Sequence, residues 1–442
     1  MTSTVDTRAE ELFSKAVDVL AGGVSASMRM NPYLGHPLYL SRAEGPCIFD
    51  INGKRYLDFN MSNGAAMLGH NHPAVREAVI QGVEAGVLAA AETPYHEALA
   101  NRLVEIIPSA ERVRFATVGT EVTVLALRIA RHATGRQRYL KFDGHFHGLS
   151  EQWLYKRDPE SGAITPSSAG VPADAGDDVV MVPWNDANAF QAAMREHGDS
   201  LAAVICEPVH LNAGYIPAEP GFLELLREST TAHGIVLIFD EVLSGFRTAL
   251  GGIQAETGVT PDLTTHAKAL ANGLPLSSLS GRRDLMETLV PTGPVAHSGT
   301  YSGHFMSVLA SLATLRELSR PGMFDEMNVR ADRFYRDIQA IFDRHHLPVV
   351  VQGRGGRFGL YFGRRESVTT VAQLADHDHA MNARFNLACI DRGLYVHPYT
   401  RVGAPGHAGI SMAHTDDILN EALGIIDDAA KSIVTQSVDR AG

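Results

Sequence analysis

Two ionisable residues, each at the end of an apolar run, mark the middle of the chain. Asp240 ends the run IVLIFD, and Lys268 ends the run LTTHAK. A carboxylate can keep a pyridine nitrogen protonated, and a buried lysine amine can form a Schiff base with an aldehyde. Because pyridoxal phosphate (PLP) needs both groups from its protein, the two residues predict a PLP site.

Each of the two residues also has a simpler interpretation when it is taken alone. Asp240 is compatible with a helix N-cap or with a buried ion pair, and Lys268 is compatible with a surface lysine. Burial of Lys268 would lower its pKa and make the amine nucleophilic. The choice therefore depends on the other motifs that the chain brings to the same place.

Three short motifs could hold the phosphate and the ring of such a cofactor. Gly119 and Thr120 lie where an apolar run leads into a helical pattern, and the N-terminus of a helix favours phosphate. Phe146, in the motif HFHG, could stack on a planar ring, and HSGTYSG (297–303) is a second turn suited to phosphate oxygens. The alternative interpretations of the three motifs are, in the same order, a helix cap, a core aromatic residue and an ordinary loop.

The elements that would position these residues alternate in type along the chain. Short apolar runs and amphipathic stretches predict strands and helices of βαβ units on a mostly parallel sheet. The predicted strands are 113–118, 138–142, 178–183, 201–208, 235–240 and 263–268, and the predicted helices between them are 120–135 and 221–234. A carboxylate that ends a parallel strand points into the crevice where such sheets bind ligands.

The two ends of the chain predict a second, smaller α+β unit. The segment IFDINGKRYLDF (48–59) predicts a hairpin with a type I′ turn at Asn52-Gly53. Long helices are predicted at 306–320, 324–346, 376–392 and 415–436, with short strands at VVVQG, FGLYF, LYVHP and GISMA. We expect 1–60 to contribute to a small domain, 61–304 to form the large PLP-binding α/β domain, and 305–442 to form the C-terminal α+β domain.

One long segment, 158–178, is rich in Pro, Gly, Ser and Ala and has no periodicity. A loop of this length is typical of a lid over a site or of a disordered insertion. A closed lid would retain an intermediate, whereas amino-group transfer requires the oxo product to leave. This segment could therefore separate an isomerase from a transaminase.

Composition and charge exclude several classes of function. The chain has 442 residues and a formal net charge of -12, with no basic block, which argues against nucleic acid or an anionic membrane as a partner. No apolar stretch approaches the ~18 residues of a membrane-spanning helix, and the N-terminus lacks the pattern of a signal peptide. The three cysteines show no metal-ligand spacing. We expect a cytoplasmic protein without a metal site.

Taken in chain order, the motifs resemble those of the class III, fold-type I PLP-dependent aminotransferases. The branch that contains glutamate-1-semialdehyde aminomutase is the most similar. The resemblance covers nearly the whole chain through AGGVSASMR, LGHNHP, VGTE, FHG, EPVHLNAG, FDEVLSGFR, AKALANGLP, GTYSGH and AHTDDI. Because several of these motifs are specific to the family, their collinear order makes coincidence an inadequate explanation.

The resemblance implies a role for each residue around the cofactor ring. Lys268 would bind PLP covalently and then act as the base that moves the proton between the substrate carbon and the cofactor. Asp240 would pair with the ring nitrogen. Val242 and Phe146 would pack on opposite faces of the ring.

The resemblance also implies residues at the two polar ends of the cofactor and a dimeric assembly. Gly119 and Thr120 would bind the phosphate, and Thr300 would reach the same phosphate from the second subunit of a homodimer. Glu207 and Asn212 would lie near the phenolic oxygen. The active sites would then lie at the subunit interface.

The implied reaction is amino-group transfer between an amino acid and an oxo acid through a pyridoxamine form of the cofactor. The chain departs from the aminomutase pattern at Val118, where a serine is usual, and at His304, where an asparagine is usual. A glutamate expected near Gly406 and His407 is absent. These departures favour a transaminase with a different substrate. The alternatives are a PLP-dependent isomerase, such as the aminomutase or an epimerase, and a non-catalytic relative.

Two arginines are candidates for binding a substrate carboxylate. Arg29 occupies the position where the aminomutase branch has such an arginine, and Arg401 is a second candidate from the C-terminal domain. Guanidinium pairs with carboxylate in a bidentate geometry. Met28, Met30 and Tyr95 could shape an apolar pocket, which would suit an aromatic, β-amino or other non-standard amino acid as the donor.

Overall fold

The computed structural model describes residues 7–86, 88–158, 160–396 and 405–438. In this part of the chain, strands β1 to β18 span Leu40–Glu44, Cys47–Asp50, Arg55–Asp58, Arg112–Ala116, Arg138–Phe142, Tyr155–Arg157, Ile164–Pro166, Val179–Val182, Leu201–Cys206, Val209–His210, Ile216–Pro217, Val236–Asp240, Leu263–His266, Ser277–Gly281, Val349–Arg354, Arg357–Phe362, Leu394–Tyr395 and His407–Ala408. Helices α1 to α13 span Thr7–Val17, Met61–Gly64, Pro73–Glu84, Pro94–Ile106, Gly119–Thr134, Ala187–His197, Phe222–His233, Gly252–Thr257, Arg283–Met286, Phe305–Leu318, Met323–Arg344, His379–Asp391 and Asp416–Val438.

A seven-stranded sheet with the order β4-β14-β13-β12-β9-β5-β8 forms the centre of the fold. Its neighbours from β13 to β8 run parallel, and only β14 runs antiparallel to the strands on either side. The predicted α/β class with a mostly parallel sheet is thus confirmed. All six predicted strands belong to this sheet, as β4, β5, β8, β9, β12 and β13.

Both faces of the central sheet are covered, which explains why its strands are almost entirely apolar. Successive residues of β12 alternate between two core clusters. Leu237 and Phe239 belong to one cluster, and Val236 and Ile238 belong to the other. Full burial of such a side chain contributes about 1.5–3 kcal/mol. Strand β12 is therefore firmly fixed, and with it the position of Asp240.

The two ends of the chain meet in a smaller sheet with the order β1-β2-β3-β17, in which β3 and β17 run parallel. A further sheet, β15-β16-β18, lies nearby, and Leu57 and Phe59 share a core cluster with Phe334 and Phe385. The domain boundaries at 60 and 304 stay a prediction. No described helix has the length and apolar character needed to span a membrane.

The structure corrects four details of the sequence analysis. The hairpin of β2 and β3 exists, but Gly53 has a positive φ and Asn52 does not, so the turn is not type I′. The serine-rich strand β14 was not predicted. The segment 158–178 contains β7, which pairs with β6 in a hairpin. GISMA does not form a strand, because the pairing ends at Ala408.

Candidate active site

The carboxyl ends of β4, β5, β9, β12 and β13 lie on one edge of the central sheet, because these strands run in the same direction. A cavity of about 300 Å³ opens at this edge. Eight of the predicted site residues line it: Gly119, Thr120, Phe146, Glu207, Asn212, Asp240, Val242 and Lys268. Residues far apart in the sequence thus meet because parallel strands end together.

Asp240 is a buried carboxylate with three hydrogen-bond donors. Its Oδ1 accepts from the Thr265 hydroxyl at 2.9 Å and from the Val242 N–H at 3.1 Å. Its Oδ2 lies 2.8 Å from Nδ1 of His147. A buried carboxylate requires such partners. They also fix its orientation towards the cavity.

His147 is a site residue that the sequence analysis missed. Burial lowers the pKa of its imidazole, although the hydrogen bond to Asp240 opposes that effect. The neutral ring donates from Nδ1 to Asp240, while the buried Nε2 has no hydrogen-bond partner among the described residues. The motif HFHG contains His147 directly after Phe146, but the motif alone does not indicate its partner Asp240.

Glu207 follows β9 and organises the side of the cavity next to the strand end of β12. Its Oε1 accepts from the Phe146 N–H at 2.8 Å, and its Oε2 accepts from the Asn212 side chain at 2.9 Å. Burial raises the pKa of Glu207 to about 7, against the lowering effect of these hydrogen bonds. Glu207 therefore fixes the positions of both Phe146 and Asn212.

Lys268 begins a short 3₁₀ turn, Lys268–Ala271, immediately after β13. Its φ of 48° lies in the left-handed region, where a non-glycine residue is strained and which is common at functional sites. Burial lowers the pKa of its amine to about 8, although Asp240 and Glu207 raise it. The side chain keeps partial exposure because it faces the cavity. Lys268 therefore carries an amine that loses its proton more readily than an ordinary lysine.

The N-terminus of α5 forms the third wall of the cavity. Gly119 is its first residue, and a Cβ there would lie 3.1 Å from both methyl carbons of Val242. Gly148 approaches Thr120 so closely that a Cβ on Gly148 would lie 2.4 Å from the Thr120 hydroxyl. The first N–H groups of a helix have no acceptor within it, which makes this wall suitable for phosphate.

The residues of this cavity fit PLP. An amine for the aldehyde, a carboxylate for the ring nitrogen and a helix N-terminus for the phosphate all face one space. Phe146 and Val242 supply apolar surfaces for the ring. Gly119 lies so close to Val242 that a side chain at residue 119 would crowd it.

Two of the predicted residues, Thr300 and Arg29, line other cavities. Thr300 is exposed and lines a different cavity of about 440 Å³ with His297 and Gly303. Arg29 is exposed and lines a third cavity of about 710 Å³ together with Ser25 and Met28. Arg401 lies outside the described residues.

A left-handed turn separates the Lys268 cavity from the Arg29 cavity. Met61, Ser62, Asn63 and Gly64 have φ values between 48° and 84°. Such a conformation costs about 1–2 kcal/mol for each residue other than glycine. Ser62 and Asn63 line the Arg29 cavity, while Ala65, directly after the turn, lines the Lys268 cavity.

Comparison with known proteins gives a consistent result. The model of the family described as aminotransferase class III matches residues 30–401. An omega-transaminase structure from Sphaerobacter thermophilus is 32% identical, covering 96% of this chain and 97% of that chain at a TM-score of 0.88. A β-phenylalanine aminotransferase from Variovorax paradoxus is 29% identical, with 97% and 94% covered and a TM-score of 0.87. A glutamate-1-semialdehyde aminomutase from Pseudomonas aeruginosa PAO1 is 22% identical, with 97% and 95% covered at 0.87, and shares the fold.

Gly119→Ala should weaken the binding of PLP. The new methyl group would meet Val242 at 3.1 Å, and overpacking typically costs about 1–3 kcal/mol, so we expect a Kd about tenfold higher or more. Fluorescence titration of the apoprotein with PLP measures this. The matched control is Gly424→Ala in α13, where a Cβ meets nothing within 4 Å. Equal affinity in both variants would contradict the assigned phosphate wall.

The rate at which the apoprotein captures PLP covalently should depend on pH through Lys268. The amine reacts only when neutral, and burial lowers its pKa from 10.5 to about 8. We therefore expect the rate to rise with pH and to level off above about 8. Stopped-flow absorbance across pH 6.5–10.5 measures it. A midpoint near that of an ordinary lysine would show that burial does not activate Lys268.

Proposed function

The chain belongs to the class III aminotransferases, and on that premise we propose that Lys268 both binds PLP and moves the proton during amino-group transfer. The protein is a PLP-dependent aminotransferase that moves an amino group between an amino acid and an oxo acid. One observation supports the roles assigned to its residues. Lys268 and Asp240, from the ends of adjacent parallel strands, face the same cavity.

PLP, when bound, supplies an electron sink for the negative charge that develops on the substrate carbon. Asp240 keeps the ring nitrogen protonated, and His147 and Thr265 hold the carboxylate in place for that task. Lys268 would remove the proton from the substrate carbon and return it to C4′ of the cofactor, the atom on the other side of the transferred nitrogen. Its lowered pKa favours this exchange because a neutral amine can accept the proton.

The remaining walls bind and orient the cofactor. The first N–H groups of α5, at Gly119 and Thr120, donate to the phosphate. Phe146 covers one face of the ring and Val242 the other. Asn212 and Glu207 contact the phenolic oxygen, and the raised pKa of Glu207 allows it to hold a proton at neutral pH.

The amino donor is proposed to be an aromatic, β-amino or other non-standard amino acid with an oxo acid as the acceptor. The cavity of Arg29 combines one guanidinium with the apolar side chains of Leu20, Val24, Met28 and Leu38. This arrangement suits a carboxylate attached to an apolar body. The similarity to a protein named as a β-phenylalanine aminotransferase supports the same substrate class. Arg401 stays a prediction for the second carboxylate contact.

We propose a homodimer in which each subunit completes the active site of the other. Thr300 and Tyr301 are exposed, and so are the apolar side chains of Val118 and Leu149 beside the cavity. A second copy of the chain would cover these apolar surfaces. A cytoplasmic location belongs to the same proposal and is supported by the free, buried cysteines Cys47, Cys206 and Cys389.

Lys268→Ala should abolish both covalent attachment of PLP and turnover. Reduction with borohydride followed by mass spectrometry should show the cofactor mass on the peptide that contains Lys268 of the wild-type protein. The variant should show none, because the alanine side chain has no nucleophile. Lys141→Met controls for the loss of another buried lysine. Cofactor mass on any other lysine of the wild type would refute the assignment.

A hybrid dimer should test whether Thr300 acts across the interface. Lys268→Ala and Thr300→Ala subunits are each expected to give inactive or weakened homodimers. In their hybrid, one site combines the intact Lys268 of one chain with the intact Thr300 of the other. That site should regain full wild-type activity. If Thr300 instead serves its own chain, mixing should give no gain above the average of the two homodimers.

A further inference from the structure

Arg357 is a fully buried cation with too few partners. It is 1% exposed, and its five N–H groups have two neighbouring acceptors. Nη2 donates weakly to the Asn60 carbonyl at 3.5 Å, and Nη1 lies 3.2 Å from Nδ1 of His407. Nε has no partner among the described residues. Such an unsatisfied group in a native interior requires an explanation.

The surroundings of Arg357 are shaped to its guanidinium. A Cβ on Gly64 would lie 2.2 Å from Nη2, and a Cβ on Gly409 would lie 2.6 Å from Nη1. Both glycines therefore make room for the planar group from opposite parts of the chain. The guanidinium occupies a defined space and does not extend towards solvent.

No carboxylate of the described chain neutralises this charge through an ion pair. Asp58 and Tyr335 act on Arg357 over a longer distance, and Asp58 is already paired with His70 at 2.8 Å. The segment 397–404, which precedes His407, contains no acidic residue. Burial lowers the pKa of Arg357 to about 10, against the raising effect of Tyr335 and Asp58, so the side chain stays charged at neutral pH.

A second buried arginine shows the contrast. Arg247 donates from Nε to the Leu243 carbonyl at 3.0 Å, from Nη2 to the Gly64 carbonyl, and from Nη1 towards the Met67 sulfur. Each of its three nitrogens has a protein partner, so a structural role explains it. Arg357 has no comparable set.

Arg357 acts electrostatically on the reacting groups, although it is not among the residues that line either cavity. Its charge reaches Lys268 and lowers the pKa of that amine. The left-handed turn Met61–Gly64 lies between Arg357 and the two cavities, since Asn60 and Gly64 contact Arg357 while Ser62 and Ala65 face the cavities. Arg247 and Asn60 hold the turn through hydrogen bonds to Gly64 and Asn63, whereas the only hydrogen bond that Arg357 makes to this segment of the described chain is the long one to the Asn60 carbonyl. A better acceptor can therefore replace that carbonyl at Arg357.

We propose that Arg357 binds a carboxylate of the amino acid or oxo acid substrate and is a specificity-determining residue of this aminotransferase. The carboxylate replaces the Asn60 carbonyl as the acceptor when the turn Met61–Gly64 gives way. It then satisfies the unused donors of the guanidinium. This inference rests on the proposed class of substrate, and it names Arg357 in place of Arg29 as the residue that binds the carboxylate of the donor.

The first experiment measures carboxylate binding without turnover. Isothermal titration calorimetry on the PLP-loaded protein compares 3-phenylpropanoate with 3-phenylpropanol. We expect wild type to bind the acid, and Arg357→Met to bind it at least about 30-fold more weakly, as when one partner of a buried charge pair is removed. The proposal is overturned if Arg357→Met binds the acid as tightly as wild type does. It is also overturned if wild type does not bind the acid.

The second experiment separates substrate recognition from a structural role. Half-reactions are followed by the conversion of the cofactor absorbance, using 3-amino-3-phenylpropanoate and 1-phenylpropylamine, in which a methyl group replaces the carboxylate. Arg357→Met should lose kcat/KM for the acid at least about 30-fold and for the amine about threefold or less. An equal loss for both substrates would reveal a structural role and overturn the proposal.

Two further variants keep the result decisive. Arg357→Lys retains the positive charge and serves as the variant to test if Arg357→Met does not fold. It should also show a selective loss of kcat/KM for the acid, because lysine lacks the planar set of donors. Arg29→Met tests the other candidate. If only Arg29→Met weakens binding of the acid, Arg29 binds the carboxylate and the proposal is wrong. If the wild-type protein converts neither substrate, the proposed donor class is wrong. The calorimetry still tests whether Arg357 binds a carboxylate.

Discussion

The active site depends on keeping a carboxylate, Asp240, inside the protein. Removing a charged group from water is costly unless hydrogen bonds replace the lost solvation. Three neighbours supply these hydrogen bonds: Val242 from the same segment of the chain, Thr265 from the adjacent strand, and His147 from the loop that follows β5. The carboxylate therefore ties three separate elements together at one point. Its orientation follows from their positions.

The same elements bring the other reactive groups to the carboxylate. Strand β12 lies between β9 and β13, so Glu207 after β9 and Lys268 after β13 flank Asp240 on its two sides. The burial that fixes these strands also lowers the pKa of Lys268 and raises that of Glu207. One physical condition, exclusion of water at the sheet edge, thus produces a reactive amine and a carboxyl group that can hold a proton.

The central sheet and the cofactor pocket could be predicted because their signals are local. Apolar runs such as 235–240 mark buried strands, and residues that end parallel strands must converge. Strand β14 could not be predicted in this way, because its serines are buried only by pairing with β4 and β13. His147 was missed for a similar reason, since its partner Asp240 is distant in sequence. Arg29 lines a separate cavity beyond the turn Met61–Gly64, whose left-handed backbone Asn63-Gly64 could indicate but Met61 and Ser62 could not.

That turn and the two arginines behind it show how distant parts of the fold limit one another. Arg247 donates to the carbonyl of Gly64, a residue with a φ of 84°, and the same glycine leaves space for Arg357. Any side chain at residue 64 would displace a guanidinium and add backbone strain. The strain in Met61, Ser62 and Asn63 is therefore balanced by contacts from residues of two other segments, 247 and 357. A wall held in this way can keep two cavities apart at rest, and it can also yield to a ligand that offers the arginine a better acceptor than a carbonyl group.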